Sequence, residues 1–169
     1  MKVYIIKANR NTKHLSEELF PLVFERETGR KVSYRDLSRN EFGKPQPVDG
    51  VYFNISHSGN YWCIVFSDSE CGIDIEINRK LSSRIARKIL HISEQPIDGN
   101  LLKSWVFKEA SVKKIGVGIS AGLSSVSPDR IEQECVATDL STDEYVCFAI
   151  DNSRADDVIK LNYPEDFSK

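Results

Sequence analysis

Gly72-Ile73-Asp74-Ile75-Glu76-Ile77 alternates apolar with acidic residues and reads as a β-strand, because successive side chains on a strand point to opposite faces. Ile73, Ile75 and Ile77 are then expected to pack into a core. Asp74 and Glu76 emerge together on the other face, roughly 6.6 Å apart along the strand. Two carboxylates so placed repel one another unless something positive lies between them, and a hard divalent cation carrying a phosphate ligand fits that description. An edge strand with one solvated acidic face would give the same pattern, so the rest of the chain has to decide.

The 169 residues are 40% hydrophobic and 28% charged, with a formal net charge of −2. That is ample for one domain, or for two small subdomains sharing an interface. It leaves no electrostatic footprint for nucleic acid or an anionic membrane. No apolar run approaches the length of a bilayer span. The N-terminal run Met1 to Lys7 is too short for a secretory signal and predicts a first strand instead. The four cysteines, at 63, 71, 135 and 147, stand singly in apolar runs and form no CxxC pair. They are expected to be buried thiols in a reducing compartment, which makes a cytoplasmic protein the expectation.

The order of elements follows from periodicity and punctuation. Val3 to Ile6 predicts a strand, and Lys13 to Thr28 a helix that stops at Gly29, with Pro21 kinking it or dividing it in two. His14, near its start, reads as a surface histidine. The mixed charges of Arg26 to Arg39 read as a solvated face. Asn40 to Pro45 is a loop. Strands are expected at Val51–Ile55, Tyr61–Ser67 and Gly72–Ile77, and their turn-length connectors predict an antiparallel meander. Leu81–His91 predicts a helix capped by Ser82 or Ser83, and Leu101–Ile115 a strong helix ended by Gly116. Strands near Ile131–Asp139, Glu144–Ile150 and Val158–Leu161 follow, with a loose tail to Lys169. The whole predicts an α+β fold of two small antiparallel sheets, each with a helix.

Two further features bear on the acidic strand. On a helical wheel for 101–115, Leu102, Trp105, Glu109 and Val112 share one arc, while Lys103, Ser111 and Lys114 lie opposite. Glu109 thus falls in the stripe expected to face inward, where an unpaired carboxylate costs several kcal/mol. Its partner is either Lys113, one turn on, or a cation shared with Asp74 and Glu76. Three carboxylates with one open side suit Mg²⁺. In Asn54-Ile55-Ser56-His57-Ser58-Gly59, hydroxyls, an imidazole and turn amides make an anion site, to which Lys44 could add a charge. A hydrolase triad of Ser56 or Ser58 with His57 and Asp74 is disfavoured, because neighbouring strand side chains diverge and no nucleophile elbow is present.

Gly43-Lys44-Pro45, Phe53-Asn54-Ile55-Ser56-His57-Ser58, Gly72-Ile73-Asp74-Ile75-Glu76 and Trp105-Val106-Phe107-Lys108-Glu109-Ala110-Ser111-Val112-Lys113, in that order, resemble the signature of the 4′-phosphopantetheinyl transferases. The resemblance is to the surfactin-synthetase-activating (Sfp-like) type, here shortened at the N-terminus, rather than to the short trimeric holo-acyl-carrier-protein synthases. It implies a phosphopantetheinyl transferase fold of two pseudo-symmetric subdomains within 1–169, near 1–71 and 72–155, with a tail over 156–169. It further implies a holo-acyl-carrier-protein synthase activity. The phosphopantetheine arm of coenzyme A would pass to a serine of an apo acyl or peptidyl carrier protein, releasing adenosine 3′,5′-bisphosphate.

By the same resemblance Asp74, Glu76 and Glu109 hold Mg²⁺, and Glu109 is the general base with Lys113 beside it as a catalytic cation. Lys44, Ser56, His57, Asp74, Lys108, Glu109 and Lys113 would contact coenzyme A. A lysine that the family often carries after the helix is Val117 here. Basic residues expected before the first helix are missing, and nothing assigns Lys2, Lys7, Arg10 or Lys13 to replace them. The carrier would dock near Ile85 to Leu102, and a monomer is expected. The alternatives are a non-catalytic coenzyme A or carrier-binding module descended from the enzyme, and an unrelated Mg²⁺-dependent phosphohydrolase.

Overall fold

The computed structural model describes residues 1–116, 122–125 and 135–168. Its elements run β1 (Lys2–Ala8), α1 (Ser16–Thr28), β2 (Tyr52–Ser58), β3 (Tyr61–Ser67), β4 (Gly72–Ile77), α2 (Ala86–Ile89), α3 (Leu101–Ile115), β5 (Val136–Asp139), β6 (Tyr145–Asp151) and β7 (Asp157–Tyr163). The strands form a four-stranded sheet in the order β2-β3-β1-β7 and a three-stranded sheet in the order β4-β6-β5. The fold is α+β with two small sheets, as the element order predicts. Residues 131–134 and Val117 lie outside the described residues.

Strand alternation builds the layers. Tyr4 and Ile6 of β1, Phe53 of β2, and Trp62, Ile64 and Phe66 of β3 pack with Leu19, Phe20, Val23 and Phe24 of α1. The intervening residues Val3, Ile5, Tyr61, Cys63 and Val65 face the other way, against Ile73 and Ile75 of β4 and Tyr145, Cys147 and Ala149 of β6. The far side of β6, Val146, Phe148 and Ile150, packs on Leu102, Val106 and Ala110 of α3. The order of layers is therefore α1, first sheet, second sheet, α3. β3 is covered on both faces, which explains its unbroken apolar run Trp62–Phe66.

Several expectations change. The antiparallel meander does not form: β2 and β3 are a hairpin, but the second edge of β3 is taken by β1. β4 therefore crosses to the other sheet and pairs with β6. Ile77, at the end of β4, is 37% exposed, so only two of its three isoleucines enter the core. α1 is a single helix with Pro21 inside it, the missing N–H falling in the second turn. Ser82 caps a single 3₁₀ turn, and α2 is only four residues long. The C-terminal residues are not a loose tail: β7 pairs in parallel with β1, so the first sheet is mixed. The four cysteines are free, and Cys63, Cys71 and Cys147 are buried.

The two-sided reading of α3 is also revised. Ser111 and Lys114, placed on its outer face by the helical wheel, are buried. The second sheet lies along one flank, while Ile89 at the end of α2 and the turn at Leu123 lie along another. Only part of the helix meets water, so a wheel divided into two faces misassigns its sides. Against β4 the helix comes unusually close. A Cβ on Gly72 would sit 2.0 Å from the Ala110 carbonyl oxygen and 2.6 Å from the Lys114 nitrogen. Only glycine permits that approach. Gly72→Ala should force rigid backbone apart and destabilise the fold by about 1–3 kcal/mol, read as a lower urea midpoint with an unchanged slope. Wild-type stability would show that α3 can retreat freely.

Candidate active site

β2 and β4 are edge strands of different sheets, and side chains join them. Asn54 Oδ1 accepts the Ile73 N–H at 3.0 Å. Ser56 Oγ donates to Asp74 Oδ1 at 2.7 Å. Ser58 Oγ donates to Glu76 Oε2 at 2.8 Å and accepts the Ile77 N–H at 3.1 Å. Residues 54, 56 and 58 share one face of β2, so a single run of alternation satisfies backbone and carboxylates of the neighbouring edge. The other acid partner comes from α3: Lys113 Nζ donates to Asp74 Oδ1 at 2.6 Å, to Ser56 Oγ at 2.9 Å and to the Ile73 carbonyl at 3.3 Å.

Beside this seam opens a cleft of about 670 Å³, within the range of small-molecule sites. Its walls include Lys44, His57, Glu109 and Lys113, which the sequence singles out, together with Lys13, His14 and Arg39, which it does not assign. Asp74 and Ser56 lie behind Lys113, nearly inaccessible at 6% and 7%. The Ser56 hydroxyl proton is directed at Asp74, so Ser56 acts on the cleft through Lys113. His57 makes no hydrogen bond to Ser56 or Asp74, so no triad is assembled among the described residues. Burial, reinforced by the Lys113 charge, holds the His57 pKa below its usual 6.5, leaving a neutral imidazole at pH 7.

Lys108 is the residue the structure removes from the group. It is fully buried, donating to the Ile89 carbonyl at 2.9 Å and pairing with Glu94. It does not line the cleft, and it ties α3 to the segment before it. A sequence reading saw a cation beside Glu109 and could not tell which side of the helix was solvent. Lys44 does line the cleft, yet its ammonium pairs with Glu70 and donates to the Lys114 carbonyl at 2.8 Å. Its loop is fixed by Asn40, whose Oδ1 accepts from the Phe42 and Lys44 amides while Nδ2 donates to the Gly116 carbonyl at 2.9 Å. Of the four N-terminal cations, Lys13 alone reaches the cleft. Lys2, Lys7 and Arg10 pair with Glu27, Glu144 and Glu18. Arg39 stacks over Tyr34 at 4.9 Å, and no described carboxylate pairs with it or with Lys13.

Glu109 decides between the two roles open to it. Lys113 bonds Asp74 rather than Glu109, and no described residue hydrogen-bonds to the Glu109 carboxylate. Burial, with the negative charges of Asp74 and Glu76, raises its pKa above the usual 4.5, and Lys113 only partly offsets them. Among the described residues no cluster of three or more His, Cys, Asp or Glu side chains is already drawn together to hold a metal. The donor chemistry nevertheless fits a hard cation: all three groups are carboxylates, one lacks a partner, and they repel one another.

No protein-family model matches the chain. The 4′-phosphopantetheinyl transferase gsp of Aneurinibacillus migulanus is 29% identical over 107 residues, 58% of this chain and 45% of that protein. The transferase of the same name designated Sfp, from Bacillus subtilis (strain 168), is 30% identical over 126 residues, 66% and 55% of the two chains. The one designated ffp, from Bacillus subtilis, is 31% identical over 125 residues, again 66% and 55%. The chain spans about half the length of the curated relatives it matches. Over the matched stretch it is similar to the Sfp-like 4′-phosphopantetheinyl transferases.

The raised Glu109 pKa has a stability consequence. Ionised, the group disfavours the folded state. As pH falls through its raised folded value towards 4.5, the folded chain takes up the proton first and the penalty is relieved. Glu109→Gln should therefore melt at a higher temperature than wild type near pH 7, with the difference shrinking as pH is lowered to about 4. A variant less stable than wild type at pH 7 would mean that Glu109 has a favourable partner.

Proposed function

We propose that the chain transfers the 4′-phosphopantetheine moiety of coenzyme A to a serine of an apo acyl or peptidyl carrier protein, releasing adenosine 3′,5′-bisphosphate. The observation that carries this is the unpartnered, half-buried Glu109 carboxylate in a cleft whose other walls hold Lys113, Lys13 and Arg39. A base beside several cations suits a nucleophilic hydroxyl and a polyanionic donor. The family relationship supplies the names of both.

Asp74, Glu76 and Glu109 would hold Mg²⁺, which when bound supplies neutralising charge to the pyrophosphate. Glu109 takes the proton from the carrier serine as its oxygen bonds the phosphorus, and the bond from that phosphorus to the nucleotide oxygen breaks. A positioned general base of this kind is typically worth about 10²–10⁴ in rate. Lys113 would meet the charge that develops on the departing nucleotide phosphate as the pyrophosphate linkage breaks. His57, neutral, offers a hydrogen bond without charge. Lys13 and Arg39, which no described carboxylate pairs, would supply further cations for the nucleotide end.

The test is loading of a panel of apo fatty-acid, polyketide and peptide carriers with coenzyme A and Mg²⁺. One phosphopantetheinyl mass increment per carrier is expected. Glu109→Gln should stay folded and lose about 10²-fold or more in rate, and Asp74→Ala should abolish Mg²⁺-dependent loading. No mass shift on any carrier would sink the reading. Coenzyme A binding without turnover would instead identify a binding module.

A further inference from the structure

Lys113 makes three hydrogen bonds, all directed at the Asp74 corner of the seam: to the carboxylate at 2.6 Å, to Ser56 at 2.9 Å and to the Ile73 carbonyl at 3.3 Å. Asp74 Oδ1 is thus already bound by an ammonium and by the Ser56 hydroxyl. Lys113 and Asp74 form an ion pair at the back of the cleft. Glu76 is likewise engaged, by Ser58 and at 3.8 Å by Arg79. Of the three carboxylates only Glu109 stands without a partner, and it lies one helical turn before Lys113 on the same cleft wall.

We infer that Lys113 is an exchangeable internal cation: it neutralises Asp74 until a divalent cation displaces it, and displacement delivers its ammonium into the cleft. The inference rests on the functional reading above and adds how that site is regulated. The chemistry is an exchange of partners in which no covalent bond changes. Asp74 Oδ1 already accepts two donors, the Ser56 hydroxyl and the Lys113 ammonium, so a metal ion on that oxygen must take the place of one of them, and like-charge repulsion selects the ammonium. Lys113 can leave without unfolding anything, because its side chain is 29% exposed and already lines the cleft. Its release lets it meet an anion there, so a divalent cation and a phosphate-bearing ligand favour one another's binding, and the coupling is reciprocal. With Lys113 on Asp74, the acids stay partly neutralised and the fold avoids a buried, unpaired carboxylate.

Mn²⁺ binding, followed by electron paramagnetic resonance on the full chain without coenzyme A, tests this. Lys113→Met should bind Mn²⁺ roughly tenfold more tightly than wild type. Lys44→Met, which removes a cleft cation paired to Glu70 rather than Asp74, should leave the affinity within about twofold. Asp74→Asn should abolish binding. A second readout needs no variant: in wild type, the Lys113 Cε–Nζ resonances should move on Mg²⁺ titration and saturate with the metal. Unchanged or weaker Mn²⁺ binding in Lys113→Met, or Lys113 resonances that stay put as Mg²⁺ saturates, overturns the exchange while leaving the metal site standing. Equal tightening in Lys44→Met also overturns it, by reducing the effect to general charge. Failure of wild type and Lys113→Met alike to bind Mn²⁺ removes the metal site and the exchange together.

Discussion

Much of this molecule depends on one constraint: two sheet edges must meet without sharing a backbone ladder. An open edge presents N–H and C=O groups that need partners, and β4 meets β2 from another sheet. Asn54, Ser56 and Ser58 resolve this by bonding the Ile73 amide, Asp74, Glu76 and the Ile77 amide. Once these polar side chains are committed, the spacing between the sheets is set, and the shared core of Ile5, Cys63, Ile73 and Cys147 closes behind them. The acids are therefore parts of the joint itself. Buried polar networks of this kind stabilise when every member is satisfied and weaken the fold when one is removed.

Gly72 and Lys113 connect the same joint to α3. The absent side chain at 72 lets the helix backbone lie against β4, and that closeness brings the Lys113 ammonium to Asp74. A helix held a few ångströms farther out would leave Asp74 buried with only a hydroxyl, a costly state for a carboxylate. Packing and electrostatics are thus one requirement at this position. Glu109 is the exception, since it sits on the same helix and, among the described residues, no donor is aimed at it. Structural stability alone gives no reason to keep a carboxylate there, and local violations of this sort concentrate at functional sites.

The sequence disclosed the parts of this arrangement and concealed the partners. α3, its stop at Gly116 and the alternation of β4 are local patterns, and they emerge where periodicity and glycine place them. The pairing of β4 with β6 across about seventy intervening residues has no local signal, and a short connector argued wrongly for a meander. The strand at Val158–Leu161 was legible, but its partner was hidden for the same reason, since it is β1 at the other end of the chain. Lys108 and Lys113 differ by five residues and looked equivalent. Only the elements packed around the helix show that one is locked among carbonyls and Glu94 while the other enters the cleft. Asn40 looked like loop punctuation, yet it holds the Phe42–Lys44 amides against the end of α3.

The cleft draws its charges from distant parts of the chain, and this bears on how the site can work. Lys13 and Arg39 come from segments flanking α1, and Glu109 and Lys113 come from α3. Asp74, behind Lys113, and Glu76, which does not line the cleft, come from the strand that is stitched to β2. Cations and acids thus face one another across the joint: Lys113 pairs with Asp74, while among the described residues Glu109, Lys13 and Arg39 have no ion-pair partner. A ligand that carries several negative charges together with a divalent cation complements both sets at once. A simple anion satisfies only the cations, and a bare metal ion only the acids. A metal-bound polyanion would meet both unpaired sets at once, a consequence of where the seam places charge rather than of any single residue.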